Sequence, residues 1–155
     1  MTIAARLKDH LDTTGLPFGM VRHPYAPTAA ECAEAAHVPG DHLAKSVLIH
    51  KEDGPILAVV PSNHQVDLHA LQAFTHRRLG LAPETEVEQV FDDCELGAAP
   101  CVGSAYGVPT IVDNSLTGLD KVWFEAGDHE TLIEMTGTDF DRLMQDAEHQ
   151  PICIH

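Results

Sequence analysis

A lysine sits inside an apolar run, Leu43-Ala44-Lys45-Ser46-Val47-Leu48-Ile49. The run reads as a β-strand. Side chains alternate faces along a strand, so Lys45 falls on the face of Leu43, Val47 and Ile49. An ammonium on an apolar face loses hydration and needs hydrogen-bond partners. Of the four lysines in the chain, Lys8 falls in a surface helix, Lys51 at a turn and Lys121 at a strand start. Lys45 alone sits against its surroundings. The plain account is a stem lying on the core with its head in water. The chemical account is a cation that holds a carbonyl or phosphate oxygen, or a neutral amine that takes a proton.

The second candidate is a loop of small residues, Gly97-Ala98-Ala99-Pro100-Cys101-Val102-Gly103. Two glycines and a proline set its direction and leave little bulk, so main-chain N–H groups can approach a ligand closely. The alternative is an ordinary tight connection. The four cysteines, Cys32, Cys94, Cys101 and Cys153, form no C-x-x-C pair and read as reduced thiols, although Cys94 and Cys101 are near enough in sequence to leave a disulfide open. Cys94 or Cys101 with a histidine base would make a nucleophile, Cys101 being better placed by its loop, but no local signature supports it. The eleven histidines include no H-E-x-x-H, and His64 and His69 are five apart, off the spacing that stacks ligands on one helix face. No metal and no organic cofactor is expected. Thr28, Ser46, Ser104 and Ser115 are candidates for a polar wall. Thr28 also fits a helix cap, and Ser115 a turn after Asp113-Asn114.

Acids outnumber bases 24 to 9, for a formal charge of −15. That opposes non-specific binding to DNA or RNA, which depends on neutralising phosphates. An RNA partner must meet a local basic patch, drawn from Arg77-Arg78, Arg22, His23 and Lys51, or be delivered by another protein. The 155 residues, 44% of them hydrophobic, suit one domain over 1–155 with a core of ordinary size. No run is apolar enough to cross a bilayer, and residues 1–7 lack the apolar stretch of a secretory signal, so a cytoplasmic protein without a membrane partner is expected.

The elements that must position these residues follow from pattern. Thr2 caps a first helix carrying Ile3, Leu7 and Leu11, ended by Gly15. Residues 18–23 read as a strand. Thr28-Ala29-Ala30-Glu31 has capping-box spacing and opens a helix to about Ala36. The Lys45 strand runs to about His50, and Glu52-Asp53-Gly54-Pro55 turns it into a second strand over 56–60, forming a hairpin. Asp67 caps a helix closed by Gly80, and Pro83 opens another with Val87, Val90 and Phe91 on its apolar side. Strands are predicted over 110–113, 122–126 and 131–135. Thr138 caps a last helix through about Ala147, and the tail from Gln150 has no clear pattern. Strands and helices mix without strict βαβ alternation, so the fold class is α+β.

The ordered set of segments resembles the YbaK/ProX family of aminoacyl-tRNA deacylases, the editing domains associated with prolyl-tRNA synthetase. The resembling pieces are His23-Pro24, Thr28-Ala29-Ala30-Glu31, Leu43-Ala44-Lys45-Ser46-Val47 and Leu57-Ala58-Val59-Val60-Pro61. They continue through Cys94-Glu95-Leu96-Gly97-Ala98-Ala99-Pro100, Tyr106-Gly107-Val108-Pro109, Ile111-Val112-Asp113 and Phe124-Glu125-Ala126-Gly127. Their joint order, over roughly residues 18–145, is more specific than any one of them. The resemblance implies a mixed, partly barrel-like β-sheet with flanking helices and a cleft that hydrolyses the ester joining a wrong amino acid to the tRNA 3′ end. It further implies an aminoacyl-tRNA synthetase or elongation factor as partner. Lys45 matches the family's functional lysine, Gly97 to Cys101 its G-x-x-x-P loop, and Asp113 an acidic position near the cleft. Cys101 stands at the loop's usual proline position, which is expected to alter pocket size.

Ester hydrolysis needs an activated water and stabilisation of the charge developing on the carbonyl oxygen. Lys45 and convergent N–H groups of the 97–103 loop suit the second need, and a loop of small residues favours small amino acids. The charged role for Lys45 is preferred on the expectation that Asp113 lies nearby. The competing reading is a domain that binds aminoacyl-tRNA or an amino acid without hydrolysing it.

Overall fold

The computed structural model describes residues 3–154. Its centre is the expected hairpin: Leu43–His50 (β2) and Ile56–Pro61 (β3) pair antiparallel from Ala44↔Pro61 to Ile49↔Ile56. Every residue of β3 is buried, so the sheet is covered on both faces there. The other strands of the large sheet are Gly19–Arg22 (β1), Gly80–Leu81 (β5), Thr110–Asp113 (β6), Lys121–Glu125 (β7), Thr131–Thr136 (β8) and Glu148–Gln150 (β9). Their order is β1-β8-β7-β2-β3-β6-β9, with β5 added to β2. The β2–β7, β3–β6 and β6–β9 pairs are parallel and the rest antiparallel, which makes the sheet mixed. Gln65–Val66 (β4) and Cys153–Ile154 (β10) form a separate two-stranded ribbon. With five α-helices among the described residues, this is the α+β class expected.

The helices cover the sheet with the apolar positions read from the sequence. Ala5–Thr14 (α1) sends Leu7 and Leu11 into a cluster with Ala44, Leu48, Leu57, Val59, Phe124 and Ile133, and Gly137–Leu143 (α5) adds Phe140 and Leu143. Leu68–Thr75 (α3) covers the opposite face, where Leu71 meets Ile49, Ile56, Ala58, Val60 and Ile111, together with Ile152 of the tail. Ala29–Ala35 (α2) lays Cys32 and Ala33 on Leu43 and Leu132. Glu84–Val90 (α4) packs Val87 and Val90 against the first cluster. No helix among the described residues is long and apolar enough to cross a membrane.

Several boundaries differ from expectation. Thr2 lies outside the described residues, and the N-cap of α1 is Ala4. Helix α3 ends earlier than Gly80, at His76, which itself takes the left-handed conformation (φ 57°) and leaves Gly80 free to begin β5. The last helix is capped by Thr136, whose hydroxyl accepts from Asp139 N–H at 3.2 Å, and it ends at Leu143. Strand β8 runs directly into it through Gly137, where a Cβ would overlap the Leu119 carbonyl.

The sheet has one irregularity. Strand β7 accompanies β2 only at Leu43↔Trp123 and Ala44↔Phe124, and β5 takes the same edge only at Ile49↔Leu81 and His50↔Gly80. Between these contacts the edge of β2 facing away from β3 is a notch spanning Lys45, Ser46 and Val47. The Leu43 carbonyl accepts from Ser62 N–H on the β3 side (2.8 Å), and the Leu48 carbonyl accepts from Ala82 N–H on the other (3.0 Å). Peptide groups alternate edges along such a strand. Ser46 therefore directs its N–H and C=O into the notch.

Candidate functional site

The notch opens into a cleft of about 330 Å³ lined by Lys45, Ser46, Ser62, Glu125, Gly97, Ala99 and the start of α2 with Thr28. Three features build it. The parallel strands β2 and β7 separate after Ala44 and Phe124, so Lys45 and Glu125 occupy equivalent positions on the same sheet face with the cleft between them. The 97–99 segment borders the notch, and the Ser46 hydroxyl holds it by donating to the Ala99 carbonyl at 2.9 Å. The first turn of α2 closes the far side, where the Thr28 hydroxyl accepts from Glu31 N–H at 3.2 Å. Gly97 has φ 85°, a left-handed conformation that favours glycine. A Cβ there would also press on the His129 ring at 3.3 Å.

Lys45 is half-buried, and burial lowers its pKa from the ordinary 10.5, with Cys153 pulling it back up. Among the described residues no carboxylate stands within 4.0 Å of its Nζ. Asp113, expected near Lys45, makes no ion pair with it; Cys153 lies within electrostatic reach of both. Asp113 is 2% exposed and is bonded internally. Its Oδ1 accepts from Ile152 N–H at 2.7 Å, and its Oδ2 accepts from the Ser115 N–H at 3.0 Å and from the Ser115 hydroxyl. Burial alone would raise its pKa, but the hydrogen bonds from Ser115, Ile152 and Cys153 outweigh that and hold it below its ordinary value. Asp113 and Ser115 thus tie the turn after β6 to the C-terminal tail.

The 97–103 loop divides. Gly97 and Ala99 reach the cleft, whereas Ala98 and Pro100 are buried. Cys101 is 0% exposed within the main core, so its side chain does not set the size of the Lys45 cleft as expected. Gly103 lies against Thr110 and Val108, where a Cβ would overlap the Thr110 hydroxyl, and it borders a different groove. All four cysteines are free thiols. Burial raises the pKa of Cys101, and raises that of Cys94 to about 12, which leaves both protonated at neutral pH. A cysteine nucleophile has no support in this geometry.

The sequence reading missed Ser62, Glu125 and His129 as site groups. Ser62 donates to the Gly40 carbonyl at 2.9 Å from the cleft wall. Glu125 is 5% exposed, and burial raises its pKa from 4.5 to about 7. Its neighbours are the Cys32 thiol (3.4 Å) and His129 Nδ1 (3.9 Å). His129 is 3% exposed, sits at φ 64°, and its Nε2–H donates to the Leu96 carbonyl at 2.7 Å. Its Nδ1 has no hydrogen-bond partner.

A half-buried lysine, an opposed carboxyl and a close main-chain segment around a break in a mixed sheet define a small-ligand cleft in an α+β domain. Residues 23–143 match the family model described as the aminoacyl-tRNA editing domain, and the chain belongs to that family. No curated protein sequence matches it. Among solved structures, it is similar to a candidate trans-editing enzyme for prolyl-tRNA synthetase, with a TM-score of 0.84 and 25% identity over 98% of this chain and 97% of that one. It shares its fold with the hypothetical protein APE2540, at a TM-score of 0.84 and 18% identity over 96% of this chain and 99% of that one. The fold also recurs in a candidate signal transduction protein from Marinobacter aquaeolei VT8 (TM-score 0.80, 21% identity), where it covers 99% of this chain but 31% of that one.

Proposed function

We propose that the chain is a single YbaK/ProX-type editing domain acting in trans in the cytoplasm, which hydrolyses the ester of a mischarged tRNA carrying a small amino acid. The observation that carries this reading is the Lys45 side chain beside a notch into which Ser46 directs its peptide N–H. The ester carbonyl would sit in the notch with its oxygen toward Lys45 and that N–H. Water adds to the carbonyl carbon and releases a proton, which the departing ribose oxygen later receives, and the charge on the resulting oxyanion is met by these two donors. The bond to the ribose oxygen then breaks, and the departing oxygen takes a proton, which yields free amino acid and tRNA. A charged Lys45 suits this role, because among the described residues no carboxylate lies within 4.0 Å of its Nζ to compete for it. Gly97 and Ala99 narrow the cleft and favour small side chains, although size selection alone is modest, roughly 10- to 200-fold per methylene.

The tRNA body needs a cationic surface on a chain of formal charge −15. Lys51, Arg77 and Arg78 line one groove at the far end of β2 with Glu52; Asp53 pairs with Lys51 and Arg77, which leaves Arg78 as the cation there suited to a phosphate. A synthetase or elongation factor that presents the tRNA would supply the rest. The test is deacylation of a panel of tRNAs carrying cysteine, alanine, serine and proline. Turnover of at least one above its spontaneous rate is expected. Binding of the same tRNAs with no turnover would replace the deacylase reading with that of a binding domain.

A further inference from the structure

We infer that Glu125 is the receptor for the free α-ammonium group of the aminoacyl ester, so that the cleft selects against N-blocked and α-hydroxy acyl esters. The inference rests on the deacylase reading and adds a specificity residue to it. Glu125 borders the cleft yet is nine-tenths buried, and a carboxylate in that position needs donors for up to about four lone-pair sites. The protein provides few. The Cys32 thiol has one proton, and its sulfur lies equally close to the Ala26 carbonyl and to Glu125, at 3.4 Å from each. The His129 Nδ1 is 3.9 Å away, beyond hydrogen-bond reach, and is itself unpartnered. The charged and titratable groups facing Glu125 are Cys32 from α2, with His129 and Asp128 from the turn after β7. None is a lysine or arginine. The site thus holds a buried acceptor that no lysine or arginine among the described residues pairs with, turned to a cavity it shares with Lys45.

The geometry fits the two polar ends of an aminoacyl group. The α-nitrogen is separated from the carbonyl oxygen by only three bonds. Lys45 and Glu125 are lateral neighbours on one sheet face, parted by the opening between β2 and β7. A carbonyl oxygen directed to the ammonium of Lys45 leaves the α-ammonium on the Glu125 side. Three N–H donors would then occupy the empty lone pairs, and the charge would compensate the buried carboxylate. An acylated nitrogen carries no charge and adds bulk there. An α-hydroxyl has no charge and one donor.

The test compares alanyl-tRNA with lactyl-tRNA, and seryl-tRNA with glyceryl-tRNA. These pairs differ in the α-ammonium against an α-hydroxyl. Each rate is corrected for its spontaneous hydrolysis. Loss of a charge-assisted hydrogen bond predicts that Glu125→Gln lowers the amino-to-hydroxy rate ratio by roughly 10- to 100-fold, and that Glu125→Asp retains part of it. N-acetylalanyl-tRNA should be a poor substrate for the wild type. A ratio unchanged in Glu125→Gln, or equal losses on both members of a pair, would overturn the α-ammonium assignment while leaving the deacylase reading in place. Failure of the wild-type protein to hydrolyse any of the esters would overturn both.

Discussion

Glu125 gives a prediction that is independent of any substrate. Its folded-state pKa, raised from 4.5 to about 7 by burial, means that folding favours its protonated form. Below about pH 4.5 the carboxyl is protonated in both folded and unfolded chains and makes no difference. As pH rises through the window from 4.5 to about 7, the unfolded chain ionises first and stability is lost. Above that window the loss is complete. Each tenfold change in the protonation equilibrium corresponds to about 1.4 kcal/mol, so the full loss is roughly 3 kcal/mol. Glutamine keeps the shape and removes the titration. Glu125→Gln is therefore expected to match the wild type near pH 4.5 and to exceed it by roughly 3 kcal/mol near pH 8, a shift in melting temperature of about 6–12 °C for a domain of this size. Urea unfolding of both proteins across this range measures the difference directly. A Glu125→Gln stability increment that is absent near pH 8, or that does not grow with pH, would refute the argument that Glu125 is buried without a compensating cation. The same substitution is expected to gain stability and lose discrimination, the usual trade at a functional group.

Other consequences are local. Gly97→Ala forces an L-residue to φ 85° and presses on His129 at 3.3 Å; a loss of about 1–2 kcal/mol in unfolding free energy, with reduced deacylation, is expected. Asp113→Ala leaves Ile152 N–H and Ser115 N–H without their acceptor, so hydrogen exchange at Ile152 should rise sharply and stability fall by about 1–3 kcal/mol. Alkylation of the native protein near pH 7 is expected to leave Cys32 and Cys101 unmodified, read by mass spectrometry of the digested protein, since both are fully buried with raised pKa values.

Lys45 was legible because a charge inside an apolar strand violates the pattern around it. The same logic applied to Val122-Trp123-Phe124-Glu125-Ala126 marks Glu125, and His129 follows four residues later. Asp113 and Cys101 show the limit of pattern. Both sit next to motifs that matter, and nothing in their spacing says which way a loop side chain turns; the structure sends one to the C-terminal tail and the other into the core. The hairpin, the α2 cap at Thr28 and the apolar faces of α1 and α3 were readable because each depends on neighbouring residues. The parallel pairings of β2 with β7 and of β6 with β9 join distant segments, and strands of two or three residues carry too few alternations to be seen. The notch that makes the cleft arises from those long-range pairings, so it was invisible until the sheet was assembled.

The most direct measurement of the central claim is single-turnover deacylation by Lys45→Ala, with circular dichroism and thermal unfolding recorded on the same preparation. The account predicts a folded protein whose hydrolysis of the best mischarged tRNA falls to the spontaneous rate, a loss of at least about 100-fold given the usual contribution of one oxyanion donor. Near-wild-type turnover by the folded variant would contradict it.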